Sequence, residues 1–231
     1  MSSSRFLQIF SVIEEYLKRR QEFIKNLMEE KQLKNYFINS NVTIVVLSAA
    51  YGAIMGLYAG GLQILYDALK IPMLLLITLY ITAPSFYVLA ALIGGKRSFS
   101  QVIVLLLSGI TVMSTILLAL VPVNLFFLLT TGNASYSTYA FIVLLNVVIF
   151  ALAGIFALVY ILRGFITLYP GGEWILSFLV GSFIFIFVGT QLAWVLRPYF
   201  HYYEGFIRPP EKNFYVALIE LIFRLLRGPL D

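Results

Sequence analysis

Five long apolar blocks, each about the length of a membrane-crossing helix and each closed by a short polar or basic stretch, constrain this chain more than any other feature. Water cannot cover such blocks. Only 12% of the 231 residues are charged while 61% are hydrophobic, about half the charged share of a soluble domain. In lipid every backbone polar group must be satisfied within the structure, so the expected fold is an all-α integral membrane bundle of about five transmembrane helices. The chain is long enough for one bundle and too short for a bundle plus a sizeable soluble domain.

The blocks place spans at 42–65, 72–93, 99–121, 139–162 and 174–196. Pro72 suits the first turn of the second span, and Pro84 inside that span removes a backbone donor and predicts a kink. Arg163-Gly164 and Arg197-Pro198 read as stops. Between the third and fourth spans, Pro122, Asn124 and residues 130–137 make a polar connection around an apolar run at 125–129 that dips toward the interface. Three regions follow: an amphipathic cytoplasmic segment at 1–41, the five-span bundle at 42–197 and an aromatic and basic tail at 198–231.

Both ends are amphipathic. Residues 5–35 read as one helix with Phe6, Ile9, Phe10, Ile13, Leu17, Ile24, Leu27 and Met28 on one side and Glu14, Lys18, Arg19, Glu22 and Lys25 largely on the other. Two readings of it stand: a helix packed on its own bundle or at the interface, and a docking helix for a partner. Asn213 caps a last helix at 214–227 that Gly228-Pro229 terminates. At ~1.5 Å per residue that helix is too short to cross a ~30 Å core, so it reads as interfacial or partner-covered, with a sixth, re-entrant element as the alternative.

Two stripes of small residues predict close helix packing. Ser48, Gly52, Gly56 and Gly60 recur every fourth residue along the first span, and Ser177, Gly181, Gly189 and Ala193 share one face of the fifth, so the first and fifth spans are candidates to pair. Asn146 and Gln191 are the deepest intramembrane amides, each able to bridge helices or contact a ligand. Asp67, Lys70, Arg163, Glu173 and Arg197 fall at predicted span ends, leaving the interior uncharged. Trp194, Arg197 and Tyr199 form an aromatic and basic rim suited to interfacial anchoring, or to recognition of a lipid headgroup or a partner carboxylate.

Ten basic residues lie on the N-terminal side of this topology and six on the other, which orients the N-terminus to the cytoplasm of a bacterial inner membrane and the C-terminus outside. The charged and apolar alternation of the first forty residues does not fit a cleavable signal peptide. No dense basic patch stands out, so nucleic acid is not an expected partner. There are no cysteines, which excludes structural disulfides and thiolate metal sites.

Catalysis finds little to work with. The single histidine, His201, has only Glu204 near it in sequence, and no metal site is expected. Gly95-Lys96 lacks the upstream glycine and following hydroxyl of a phosphate-binding loop, Ala90 and Arg97 standing there instead. Glu173 and His201 lie at opposite ends of the last span, roughly 40 Å apart by helical rise. The glycosylation sequon at 133–135 has meaning only in a eukaryotic host. No enzyme activity and no cofactor are expected.

The stretch from Ile71-Pro72 to Leu129 resembles the Yip-like superfamily of five-span membrane proteins, through the Gly94-Gly95-Lys96 turn, the Ser98-Phe99-Ser100-Gln101 start of the next span and Pro122 at its end. The acidic and Gly-Pro motifs of the eukaryotic trafficking members are absent, so vesicle-transport and small-GTPase roles do not carry over. The chain also resembles a group of bacterial membrane proteins through Val188-Gly189-Thr190-Gln191-Leu192-Ala193-Trp194-Val195-Leu196-Arg197-Pro198-Tyr199 and Asn213-Phe214-Tyr215. Some members carry an actin-binding WASP-homology label. Only Leu33-Lys34-Asn35-Tyr36 approaches the motif behind it, and the group brings no activity with it.

The expected function is a non-catalytic accessory or scaffold subunit, in contact with membrane lipids and packing against other membrane proteins or a second copy of itself. A transporter, channel or lipid-handling protein is the alternative, with Pro84 and Asn146 as its broken-helix and polar elements.

Overall fold

A capping box starts the helix on which the first four helices and the two that follow it pack. The Ser98 side chain accepts from the Gln101 backbone N–H at 3.3 Å, and Gln101 Oε1 accepts from Ser98 N–H at 2.9 Å. The helix that follows, α5 (Phe99–Ala119), is buried on nearly every side. Its hydroxyls stay satisfied inside because Ser108, Thr111 and Ser114 donate to their own helix carbonyls at 2.7, 2.9 and 2.9 Å.

The computed structural model describes residues 2–131, 136–197, 199–200, 206–207 and 214–227, and these are helical throughout apart from turns. The remaining helices are α1 (Ser2–Leu17), α2 (Arg20–Met28), α3 (Leu33–Gly56), α4 (Gln63–Leu92), α6 (Val121–Thr130), α7 (Tyr136–Leu168), α8 (Trp174–Val195) and α9 (Phe214–Arg227). Five stretches are long and apolar enough to cross a membrane: α3, α4, α5 with α6, α7 and α8. His201, Glu204, the sequon at 133–135, Asn213 and Gly228-Pro229 lie outside the described residues.

Several boundaries differ from expectation, each for a local reason. The first span covers Leu33–Gly56 rather than 42–65. It ends early because Gly60 and Gly61 turn the chain with φ of +73° and +56°, a left-handed region that glycine enters without strain. Gly60 is therefore a turn residue and not the fourth member of a packing stripe. The second span starts at Gln63, which puts Pro72 inside α4 alongside Pro84 rather than in its first turn. The Pro72 ring costs one hydrogen bond, to the carbonyl of Ala68 four residues earlier.

The amphipathic segment is two helices rather than one. The chain breaks at Lys18-Arg19 and again before α3, where Glu30 and Gln32 take φ of +55° and +57°. These breaks fold Tyr16, Phe23 and Leu27 inward, all fully buried. The Tyr16 and Phe23 rings meet edge to face at 4.7 Å, and Phe23 meets Tyr36 of α3 at 5.2 Å. Tyr16 Oη and Ser40 Oγ share a hydrogen bond at 2.6 Å, and burial raises the Tyr16 phenol well above its usual pKa, so it stays neutral. Gln101 Nε2 closes the arrangement by donating to the Leu27 and Met28 carbonyls at 2.9 and 3.3 Å. One side chain thus caps the start of α5 and the end of α2.

Beyond α5, the apolar run at 125–129 is part of a regular helix, α6, separated from α5 only at Leu120. Arg163-Gly164 does not stop the fourth span, which runs on to Leu168. The Leu105 side chain of α5 fills the space beside Gly164, where a Cβ would stand 2.3 Å from Leu105 Cδ1. The last helix, α9, has the expected bounds and packs on α7 and α8.

Candidate functional site

Polar and charged side chains gather in two clusters at one level of α3, on different faces of the helix. Tyr51 belongs to the first, and the adjacent Gly52 lies against the second.

The first cluster ties α3, α6 and α7 together. Tyr51 Oη donates to Asn146 Oδ1 at 2.7 Å. Asn124 Nδ2 donates to the same oxygen at 3.0 Å, and Asn146 Nδ2 returns a bond to Asn124 Oδ1 at 3.3 Å and donates to the Ile142 carbonyl at 3.0 Å. All three side chains are buried. Each such bond between spans is worth ~0.6 kcal/mol on average. The three groups satisfy one another, and nothing in the cluster titrates near neutral pH. Asn146 was recognisable as a deep amide and Asn124 as a polar loop residue. Tyr51, whose hydroxyl completes the set, gave no signal beyond being one tyrosine among fifteen.

The second cluster lies in the first turns of α4. Gln63 Nε2 donates to Asp67 Oδ1 at 2.7 Å, and Lys70 Nζ stands 4.0 Å from the same oxygen, with both charged side chains fully buried. The Lys70 ammonium also sits 6.0 Å from the Tyr66 ring centre, 5.6 Å from Tyr199 and 5.2 Å from Phe206. Aromatic faces of this kind compensate a buried cation for part of its lost water. Asp67 and Lys70 are therefore buried in the first turns of a candidate span, near the end at which the sequence places them. They escape notice in a hydropathy reading because each charge by itself looks like a span end. The spacing of Gln63, Asp67 and Lys70, four and then three residues, was the available signal that all three share a helix face.

The expected rim borders this cluster. The Arg197 guanidinium lies 3.6 Å from the centre of the Trp194 ring. Tyr199 turns its ring toward Lys70, its hydroxyl is buried, and burial raises its phenol above the usual pKa. Gln191 joins neither cluster and lies half-buried on α8. Its neighbour Thr190 shares a hydrogen bond with Tyr215 of α9 at 2.9 Å.

The small-residue stripes are engaged inside the chain. A Cβ at Gly52 would stand 2.2 Å from the Asp67 carbonyl oxygen, and one at Gly56 would stand 2.6 Å from Ile64 Cα, so the α3 stripe faces α4. Ser48 shares that helix, buried, with its hydroxyl bonded to the Ile44 carbonyl at 2.5 Å. The stripe on α8 also faces α4 and not the first span. Ser177 Oγ donates to the Phe86 carbonyl, a Cβ at Gly181 would stand 2.5 Å from the Phe86 ring, and one at Gly189 would stand 3.3 Å from Thr78 Cγ2. Ala193, one turn further, is half-buried. Periodicity identifies the face of such a stripe but not the helix that fills it.

No protein-family model, curated protein or solved structure matches the chain.

Proposed function

We propose that the chain is a non-catalytic membrane protein, an accessory or scaffold subunit that packs against partner membrane proteins or a second copy of itself. One observation carries this reading. The α1–α2 segment is bonded to the bundle through Gln101 and the Tyr16–Phe23–Tyr36 rings, while Glu14, Lys18, Arg19, Glu22 and Lys25 remain exposed. A rigid, mixed-charge platform suits recognition of a partner, because its ordering cost is already met by the chain's own packing. The glycine seams are occupied by α4, so partner contact falls on this platform and the chain ends.

The proposal includes a bacterial inner membrane with the N-terminus in the cytoplasm and the C-terminus outside, supported by the basic residues on the N-terminal side. It also includes kinship with Yip-like proteins, supported by the Gly94-Gly95-Lys96 turn between the second and third spans. Light scattering on the full chain, extracted from its native membrane in mild detergent, tests the scaffold reading. A species heavier than the monomer is expected, and Lys18→Glu with Arg19→Glu should return it to the monomer without lowering its melting temperature. A strictly monomeric, partner-free native species overturns the reading.

A second reading, transport of a small solute or ion or the handling of lipid, draws on the buried Asp67–Lys70 pair, since intramembrane charge often marks a solute path. Proteoliposomes should then show an ion or solute flux that Asp67→Asn and Asn146→Ala reduce. Absence of flux with the intact chain removes this reading.

A further inference from the structure

At the end of the bundle that carries α1 and α2, a cleft of about 740 Å³ opens between α2, the turn from α4 to α5 and the end of α7. Its lining is basic. Arg20, Lys25 and Arg97 contribute three positive charges against the single carboxylate of Glu29. That carboxylate is already engaged by Lys31 at 2.6 Å, a bond that holds its pKa below the usual range.

The arginines are only partly used by the protein. Arg20 lies over the Tyr160 ring at 5.1 Å, yet its Nε and Nη2 are buried without a hydrogen-bond partner. These two nitrogens are closed off from the cleft and share their surroundings with the Tyr160 hydroxyl, also buried without a hydrogen-bond partner, so Arg20 acts on the cleft through its charge. Arg97 donates from Nε to the Leu168 carbonyl at 2.9 Å, and among the described residues its terminal nitrogens make no hydrogen bond. The forked terminal nitrogens of Arg97, beside the charges of Arg20 and Lys25, suit a tetrahedral, multiply accepting group such as phosphate. The Thr167 hydroxyl, also on the lining, is already bonded to the Arg163 carbonyl at 2.9 Å.

The surroundings indicate where the phosphate comes from. Arg97 and Thr167 stand at the ends of candidate spans, the depth at which headgroups lie. Ile24 and Met28 give the cleft an apolar wall, and Ile166, next to Thr167, is exposed at the edge of the bundle. We infer that the cleft binds the phosphate of an anionic phospholipid headgroup, with Arg97 as its donor and Arg20 and Lys25 adding positive charge. This assignment stands whether or not the chain has a protein partner.

Native mass spectrometry of the full chain in mild detergent, with phosphatidylglycerol, phosphatidylcholine or inorganic phosphate added, tests it. The intact protein should retain phosphatidylglycerol about tenfold more strongly than phosphatidylcholine, the scale of one charge-assisted hydrogen bond. Arg97→Gln should abolish most of that preference. Lys25→Gln, at an exposed position that cannot disturb the core, should reduce it severalfold, while Lys18→Gln on the neighbouring turn should leave it intact. The inference is overturned by an intact protein without preference, by equal losses in the Lys18 and Lys25 variants, or by saturable binding of inorganic phosphate that displaces the lipid.

Discussion

Replacing Gly52 with alanine is expected to destabilise the bundle by about 3 kcal/mol, at the upper end for overpacking a filled interior. The methyl group would stand 2.2 Å from the Asp67 carbonyl oxygen and 2.7 Å from its carbon. Both are backbone atoms of α4, so no rotamer change relieves the clash and the two helices must separate. Separation would loosen the rest of the seam, where Gly56 lies equally close to Gln63 and Ile64. Gly154→Ala is the control. The same change in α7 meets nothing nearer than Met113 Cε at 4.0 Å, and alanine favours the helix by about 0.5–1 kcal/mol, so that variant should match or exceed the parent. Equilibrium unfolding in mixed micelles compares the three proteins. A Gly52→Ala protein as stable as the parent would mean that α3 and α4 do not meet at this seam.

The second large effect is expected at Lys70. Lys70→Met leaves the Asp67 carboxylate buried with only the Gln63 amide bonded to it, and its Oδ2 already lacks a hydrogen-bond partner. Removing one partner of a buried ion pair costs about 3–5 kcal/mol, because the remaining charge loses its compensation without regaining water. Adding Asp67→Asn removes that charge while keeping the size of the side chain and an acceptor for Gln63. The double variant should be more stable than Lys70→Met alone by at least about 2 kcal/mol, which sets the coupling between the two sites. Additive losses in the same unfolding assay would show that the two residues do not act as a pair.

These two sites also mark the limit of what the sequence discloses. The five spans and the last helix were legible because apolar length and helical periodicity are local properties, and 174–196 and 214–227 agree with α8 and α9 to within a residue. The start of α4 was not legible. Whether Asp67 and Lys70 end a span or continue it depends on their pairing and on rings from Tyr199 and Phe206, more than a hundred residues away. Gly60 looked like Gly52 and Gly56 because spacing alone does not separate a packing glycine from a turn glycine. The partner of the α8 stripe depends on how the bundle closes, which no single segment encodes. The same holds for the basic cleft: Arg20 and Arg97 meet only because α2 folds back over the start of α5.

The contact between α4 and α8 has a consequence for synthesis of the protein. Ser177 reaches the Phe86 carbonyl across 91 residues of chain. At ribosomal speeds of ~5–20 residues per second, that separation amounts to roughly 5–18 s of translation. During this interval the flank of α4 that will receive Gly181 and Gly189 has no partner helix to pack on. The nascent protein thus passes through a stage in which α4 lacks half of its final packing, and the α4–α8 seam closes only when the last of the five candidate spans has been made.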